Sequence, residues 1–147
     1  LAKITEPTLA PVDVGACIRR LVELERRHAI KISLGPDATV HADRDQIEHV
    51  LNNLIHNAVE ASGDGGGSVD IGWSENDRWL EITVRDEGTG ISDPESLFIP
   101  FYTTKPNGSG IGLFLCRQIA EAHGGSVSVR NRDDRPGCEA ILKIPSG

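Results

Sequence analysis

Asn53 and Asn57 stand four residues apart in the run Asn52-Asn53-Leu54-Ile55-His56-Asn57-Ala58. On a helix that spacing puts both carboxamides on one side, one turn apart. Their oxygens could ligate Mg2+ or their amides could hydrogen-bond phosphates. Taken alone, a pair of solvated polar residues explains them better, although several Asn in mid-helix run against helix propensity. A second stretch is Asp86-Glu87-Gly88-Thr89-Gly90, directly after the apolar run Leu80–Val84. A carboxylate at a strand end can accept a hydrogen bond from an exocyclic amine such as that of adenine, and Gly88 and Gly90 let the chain lie close to a flat ring. An ordinary Asp-Gly turn would look the same. The third stretch, Gly108-Ser109-Gly110-Ile111-Gly112-Leu113, opens a helical pattern, where free N–H groups and the helix dipole favour anions. It is neither a dinucleotide-binding fingerprint, since Leu113 takes the place of the last glycine, nor a P-loop, since no Lys-Ser or Lys-Thr follows. The fourth, Leu97 to Lys105, places Phe98, Phe101 and Tyr102 in a segment without helix or strand periodicity. It could anchor a mobile lid with Lys105 reaching a phosphate, or be a loop packed on the core.

Several elements must position these residues. Asp43 is a natural N-cap for a helix running to about Ala61, with Ile47, Val50, Leu51, Leu54, Ala58 and Ala61 on one face. At 100° per residue, Asn53 and Asn57 flank that stripe. Val14–Arg27 carries a second amphipathic pattern and Ile111–His123 a third, closed by Gly124-Gly125 with His123 in its last turn, where a cation suits the dipole. Strands are predicted at Ile30–Leu34, Thr39–Ala42, Val69–Trp73, Trp79–Arg85, Ser126–Asn131 and Glu139–Ile144. Short turns between neighbouring strands imply antiparallel pairs. The expected fold is α+β: a two-layer sandwich, its mixed, mostly antiparallel sheet covered on one face by three helices.

With 147 residues, the chain is the size of one domain. Its net charge of −7 gives no basic face for nucleic acid. Cys17, Cys116 and Cys138 are widely spaced and read as free thiols. No apolar run approaches a membrane span, so no direct membrane contact and a cytoplasmic setting are expected, with any membrane anchor lying elsewhere in a full-length protein. The sequence contains no Met, and is expected to be an excised part of a longer protein. Residues 1–11 read as the end of a linker from an upstream dimerisation domain, and residues 12–147 as the domain itself.

Together the four stretches resemble the catalytic and ATP-binding domain of histidine kinases, of the GHKL type shared with gyrase B, MutL and heat-shock chaperone ATPases, whose architecture is the Bergerat fold. Asn53–Ala58 is similar to the N box, Asp86–Gly90 to the G1 box, Phe98–Lys105 to the F box and Gly108–Leu113 to the G2 box. Phe-Tyr-Thr-Thr-Lys followed by Gly-Ser-Gly-Ile-Gly-Leu is similar to nitrogen-regulation and PAS-linked sensor kinases. The resemblance implies ATP and Mg2+ as ligands, with Asn57 coordinating Mg2+, Asn53 supporting it or the phosphates, and Asp86 reading the adenine amine. It implies Gly88 and Gly90 shaping the adenine pocket, Gly108, Gly110 and Gly112 holding the phosphates, and Ile91, Ser109, Ile111 and Leu113 as further ATP-binding positions. A lid of roughly residues 92–107 would carry Lys105. Cys138 would adjoin the adenine where many members carry Thr, and Phe114 stands where many carry a small residue.

The implied activity is transfer of the γ-phosphate to a histidine on a separate dimerisation/phosphoacceptor domain, followed by a response-regulator receiver domain. None of His28, His41, His49, His56 and His123 has the setting of a phosphoacceptor, so that histidine is expected outside this chain. A hydrolytic ATPase module is the alternative. Its family members place a water-activating glutamate where this chain has Asn53, and an amide is no general base at neutral pH. An anti-sigma-type serine kinase is disfavoured for the same reason, and a nucleotide-sensing module without catalysis is a further reading.

Overall fold

The computed structural model describes residues 5–25, 30–33, 35, 37–62, 68–88 and 112–146. Among these, three helices and seven strands follow in the order β1 (Ala10–Asp13), α1 (Val14–Leu24), β2 (Ile30–Ile32), β3 (Thr39–Ala42), α2 (Arg44–Ser62), β4 (Val69–Glu75), β5 (Trp79–Arg85), α3 (Gly112–Ala122), β6 (Ser126–Asn131) and β7 (Cys138–Pro145). Five strands form one sheet in the order β2-β4-β5-β7-β6. Only β2 and β4 run parallel; the other three pairings are antiparallel.

Two pairings differ from the simplest expectation of neighbouring hairpins. β3 does not join β2 but pairs with β1 in a separate two-stranded sheet. That sheet takes in Ala10 and Pro11, which the sequence reading left in the linker. The last strand, β7, enters between β5 and β6 instead of lying at an edge.

Alternation along the strands explains the two layers. Val69, Ile71 and Trp73 of β4, Leu80, Ile82 and Val84 of β5, and Leu142 and Ile144 of β7 are buried. They pack on the apolar faces of the helices, among them Ile18 and Leu21 of α1, Leu51 and Leu54 of α2, and Cys116 and Ile119 of α3. Each fully buried Leu or Ile contributes about 1.5–3 kcal/mol by leaving water. The other sheet face is polar. Across it the register aligns Asp70, Arg85, Glu139 and Arg130 in one row. Glu139 lies between Arg85 Nε at 2.5 Å and Arg130 Nη2 at 2.5 Å. Burial alone would raise its carboxyl, and the two guanidinium groups overcome that and hold it below the usual range. Lys143 Nζ sits 5.8 Å from the Trp79 ring centroid on the same face.

α2 begins as its sequence dictates, with Asp43 Oδ1 accepting the Gln46 N–H at 3.2 Å. The buried stripe comprises Ile47, Val50, Leu51, Leu54, Ile55, Ala58 and Val59. Ala61, expected on that stripe, is exposed. α3 ends in a Schellman motif: Gly125 N–H donates to Ala120 O at 2.8 Å and Gly124 N–H to Glu121 O at 3.0 Å. His123 follows the last turn of α3, where its Nε2 accepts the Asp43 N–H at 3.0 Å and its Nδ1 faces Ile119 O at 2.8 Å.

Candidate functional site

Asp86 directly follows β5 and is one of two buried polar residues among those described, with 5% of its surface exposed. Burial of a carboxylate demands hydrogen bonds. Its Oδ1 accepts the N–H of Gly88 at 2.9 Å and of Cys138 at 3.0 Å. Among the described residues nothing donates to Oδ2. The backbone reinforces the placement: Asp86 N–H donates to Cys138 O at 2.9 Å, and Arg132 Nη1 donates to Asp86 O at 3.1 Å. The carboxylate is therefore fixed through one oxygen, which leaves the other to accept a donor from a ligand.

Gly88 and Gly137 make that arrangement sterically feasible. A Cβ on Gly88 would stand 2.5 Å from Ala61 O in the last turn of α2. A Cβ on Gly137, where φ is 138°, would stand 2.1 Å from Asp86 O. Gly88 is expected beside a flat ring, and its missing side chain also lets the chain after Asp86 meet the end of α2. Ala61 lies one turn beyond Asn57 on the same edge of the helix. Asn57 is thus only about 6 Å along the axis from the point of contact with the Asp86 turn. Asn53 and Asn57 are both half-buried beside the apolar stripe, as their spacing predicts. Asn53 Nδ2 donates to His49 O at 2.9 Å, turning its amide back along its own helix.

Cys138 is half-buried beside Asp86. Burial, then the nearby Asp86 charge, push its thiol up to about 11, so it stays protonated at neutral pH. It donates weakly to Asn131 Oδ1 at 3.9 Å. All three cysteines are free thiols. Gly112 opens α3, and Leu113 packs against the core. Gly90, Ile91, Lys105, Gly108, Ser109, Gly110 and Ile111 lie outside the described residues, as does the expected lid at 92–107. Among the described residues no three His, Cys, Asp or Glu side chains converge to hold a metal ion. A Mg2+ ion here would take few protein oxygens and complete its shell from phosphates and water, which fits a lone Asn ligand.

The sequence reading did not single out Arg132, Ala61 or Gly137 as parts of the site. Gly137 carried a signal in the Pro136-Gly137 turn; Arg132 and Ala61 carried none, because the Arg132 guanidinium and the Ala61 carbonyl meet residues brought near only by the fold.

Residues 42–147 match the family described as Histidine kinase-, DNA gyrase B-, and HSP90-like ATPase. The chain belongs to this family. Its relatives include the C4-dicarboxylate transport sensor protein DctS of Rhodobacter capsulatus, 39% identical over an aligned length of 134, covering 83% of this chain and 20% of DctS. Sensor histidine kinase ZraS of Escherichia coli strain K12 is 32% identical over 154 residues, covering 99% of this chain and 33% of ZraS. The chain thus spans about a fifth to a third of the length of these curated relatives. Among solved structures, the catalytic domain of histidine kinase ThkA superposes with a TM-score of 0.82 at 32% identity, covering 95% of this chain and 97% of that one. Full-length ShkA in complex with AMPPNP gives 0.83 at 28% identity, covering 98% of this chain and 32% of that one. ThkA in complex with the response regulator protein TrrA gives 0.78 at 29% identity, covering 95% and 42%. The architecture is that of the ATP-binding domains of histidine kinases, three helices on a mixed, mostly antiparallel sheet.

Proposed function

We propose that this chain is the catalytic and ATP-binding domain of a sensor histidine kinase, which holds MgATP and presents its γ-phosphate to a histidine on a separate dimerisation domain. A response-regulator receiver domain would be the next acceptor, as the ThkA–TrrA complex suggests by likeness. The folded domain would begin at β1, with the chain before Ala10 as linker, and would work in the cytoplasm, where ATP is supplied. The observation that carries this reading is Asp86: buried, held through Oδ1 by two backbone amides, and left with Oδ2 to accept the adenine amine.

In this reading, Gly88 and Cys138 fix the carboxylate that orients the base, and Asn57 supplies a metal oxygen on the adjoining edge of α2. Bound Mg2+ would neutralise phosphate charge. Asn53, with Gly90, Ile91, Lys105 and the run Gly108 to Leu113, completes the proposed nucleotide contacts. Transfer then depends on positioning rather than on acid–base chemistry by this chain. Asn53 also favours transfer over hydrolysis, because its amide engages His49 O and cannot deprotonate water.

Titration calorimetry tests the site. Asp86→Asn keeps an oxygen for the two amides but can turn an NH2 group toward the adenine amine, and should weaken ATP binding at least tenfold, about 1.4 kcal/mol. Asn57→Ala should abolish the Mg2+ dependence of binding. Unchanged binding in both variants would remove this assignment.

A further inference from the structure

Asp43 is a junction of three parts of the chain. Its Oδ1 caps α2 through the Gln46 N–H, its Oδ2 accepts the Thr8 N–H at 2.9 Å, and its own N–H goes to His123 Nε2 at 3.0 Å. Gln46, which stands where a capping-box residue would reach back to that N–H, instead donates to Thr5 O at 2.8 Å. The N-cap amide of α2 is thereby given to the end of α3.

α2 starts where α3 stops, and the two helices pack together, so both lead away from a shared junction, α2 forward along the chain and α3 back toward its N-terminus. From His123 back to Gly112 is eleven residues, about 16 Å of helix. The same distance forward from Asp43 along α2 reaches Leu54, between Asn53 and Asn57. We propose that His123 is a positioning residue for the nucleotide site: by accepting the Asp43 N–H it fixes the axial register of α3 against α2, and so sets the N-terminus of α3 level with Asn53 and Asn57. A slip of one turn would carry Gly112 about 5.4 Å away from that level. The metal-binding edge of one helix and the positive end of the other then hold a fixed separation, as a ligand touching both requires. The base end of the pocket, built by Asp86, Gly88 and Cys138, is independent of that register.

This inference rests on the nucleotide-site reading above, and adenosine separates the two. Adenosine uses only the base end; MgADP uses both. His123→Asn keeps a donor for Ile119 O but is too short to reach Asp43, whereas His123→Gln places an oxygen where Nε2 stood. Calorimetry on the full chain should show MgADP affinity falling about tenfold in His123→Asn, the scale of one lost hydrogen bond, with adenosine affinity unchanged. His123→Gln should return MgADP binding to near the wild-type value. Equal loss of both ligands, no loss of either, or unfolding of His123→Asn at the assay temperature would each overturn the proposal, since the contact would then serve the fold alone or nothing. Failure of the wild-type chain to bind MgADP would instead remove the reading of the site.

Discussion

A methyl group on residue 137 would meet the Asp86 carbonyl oxygen at 2.1 Å, and the backbone there has a φ of 138° that side chains rarely tolerate. Strain of that kind costs about 1–3 kcal/mol. It would act one residue from the Cys138 N–H that holds Asp86 Oδ1. Gly137→Ala should therefore lower stability by about 1–3 kcal/mol in urea unfolding and weaken ATP binding besides. A variant that lost stability but bound ATP as well as wild type would show that Asp86 is held by other contacts. Asp86 and Asn57 stand out as candidates in the sequence because Asp86 follows an apolar strand and precedes glycines, and because Asn in mid-helix runs against helix propensity. Gly137 was not, because the atom it avoids belongs to a residue 51 positions earlier, a proximity created only by the β5–β7 pairing.

The turn between β6 and β7 shows how one element is docked beside the site. Arg132 grips Asp134 through Nε and Nη2, both at 3.0 Å. Arg135 Nη1 donates to Glu87 Oε2 at 3.1 Å, and Glu87 Oε1 receives the Ser68 O–H at 2.7 Å and N–H at 2.9 Å. The Ser68 hydrogen bonds, then Arg135, draw the Glu87 carboxyl down from 4.5 to about 2. A depressed folded-state pKa stabilises fully above the unfolded value, and the gain vanishes as pH falls through the folded one. In Glu87→Gln, the urea midpoint should lie below wild type at neutral pH. The two midpoints should converge between pH 4.5 and about 2. Parallel curves throughout would show that Glu87 does not carry this dependence. Local signals made the helices, the Asp43 cap and the hairpin turns readable. The pairing of β1 with β3 and the insertion of β7 were not, because sheet order is settled between distant segments by the competition to bury apolar faces.

At the scale of the molecule, the chain would supply the nucleotide pocket of the proposed function, and none of its five histidines is followed by an acidic residue, as a phosphoacceptor is expected to be. Incubated alone with γ-labelled ATP, it should neither label itself nor release phosphate at an appreciable rate. With a dimerisation domain from the same protein, label should appear there. A ring nitrogen of the acceptor histidine bonds to the γ-phosphorus as the bond to the bridging oxygen breaks, and ADP leaves. That label should survive base and be lost in acid. Rapid phosphate release by the chain alone would favour an ATPase, and acid-stable label a serine kinase. The place of β7 also bears on how such a protein is made. It lies between β5 and β6 and carries the Cys138 amide that anchors Asp86. Until the ribosome has released residues 138–145, β5 has an unpaired edge, β6 has no partner in the sheet, and the carboxylate that would read adenine has half its support. On the proposed reading, ATP binding would require residues 138–145, so it would follow their release while earlier segments are already folding.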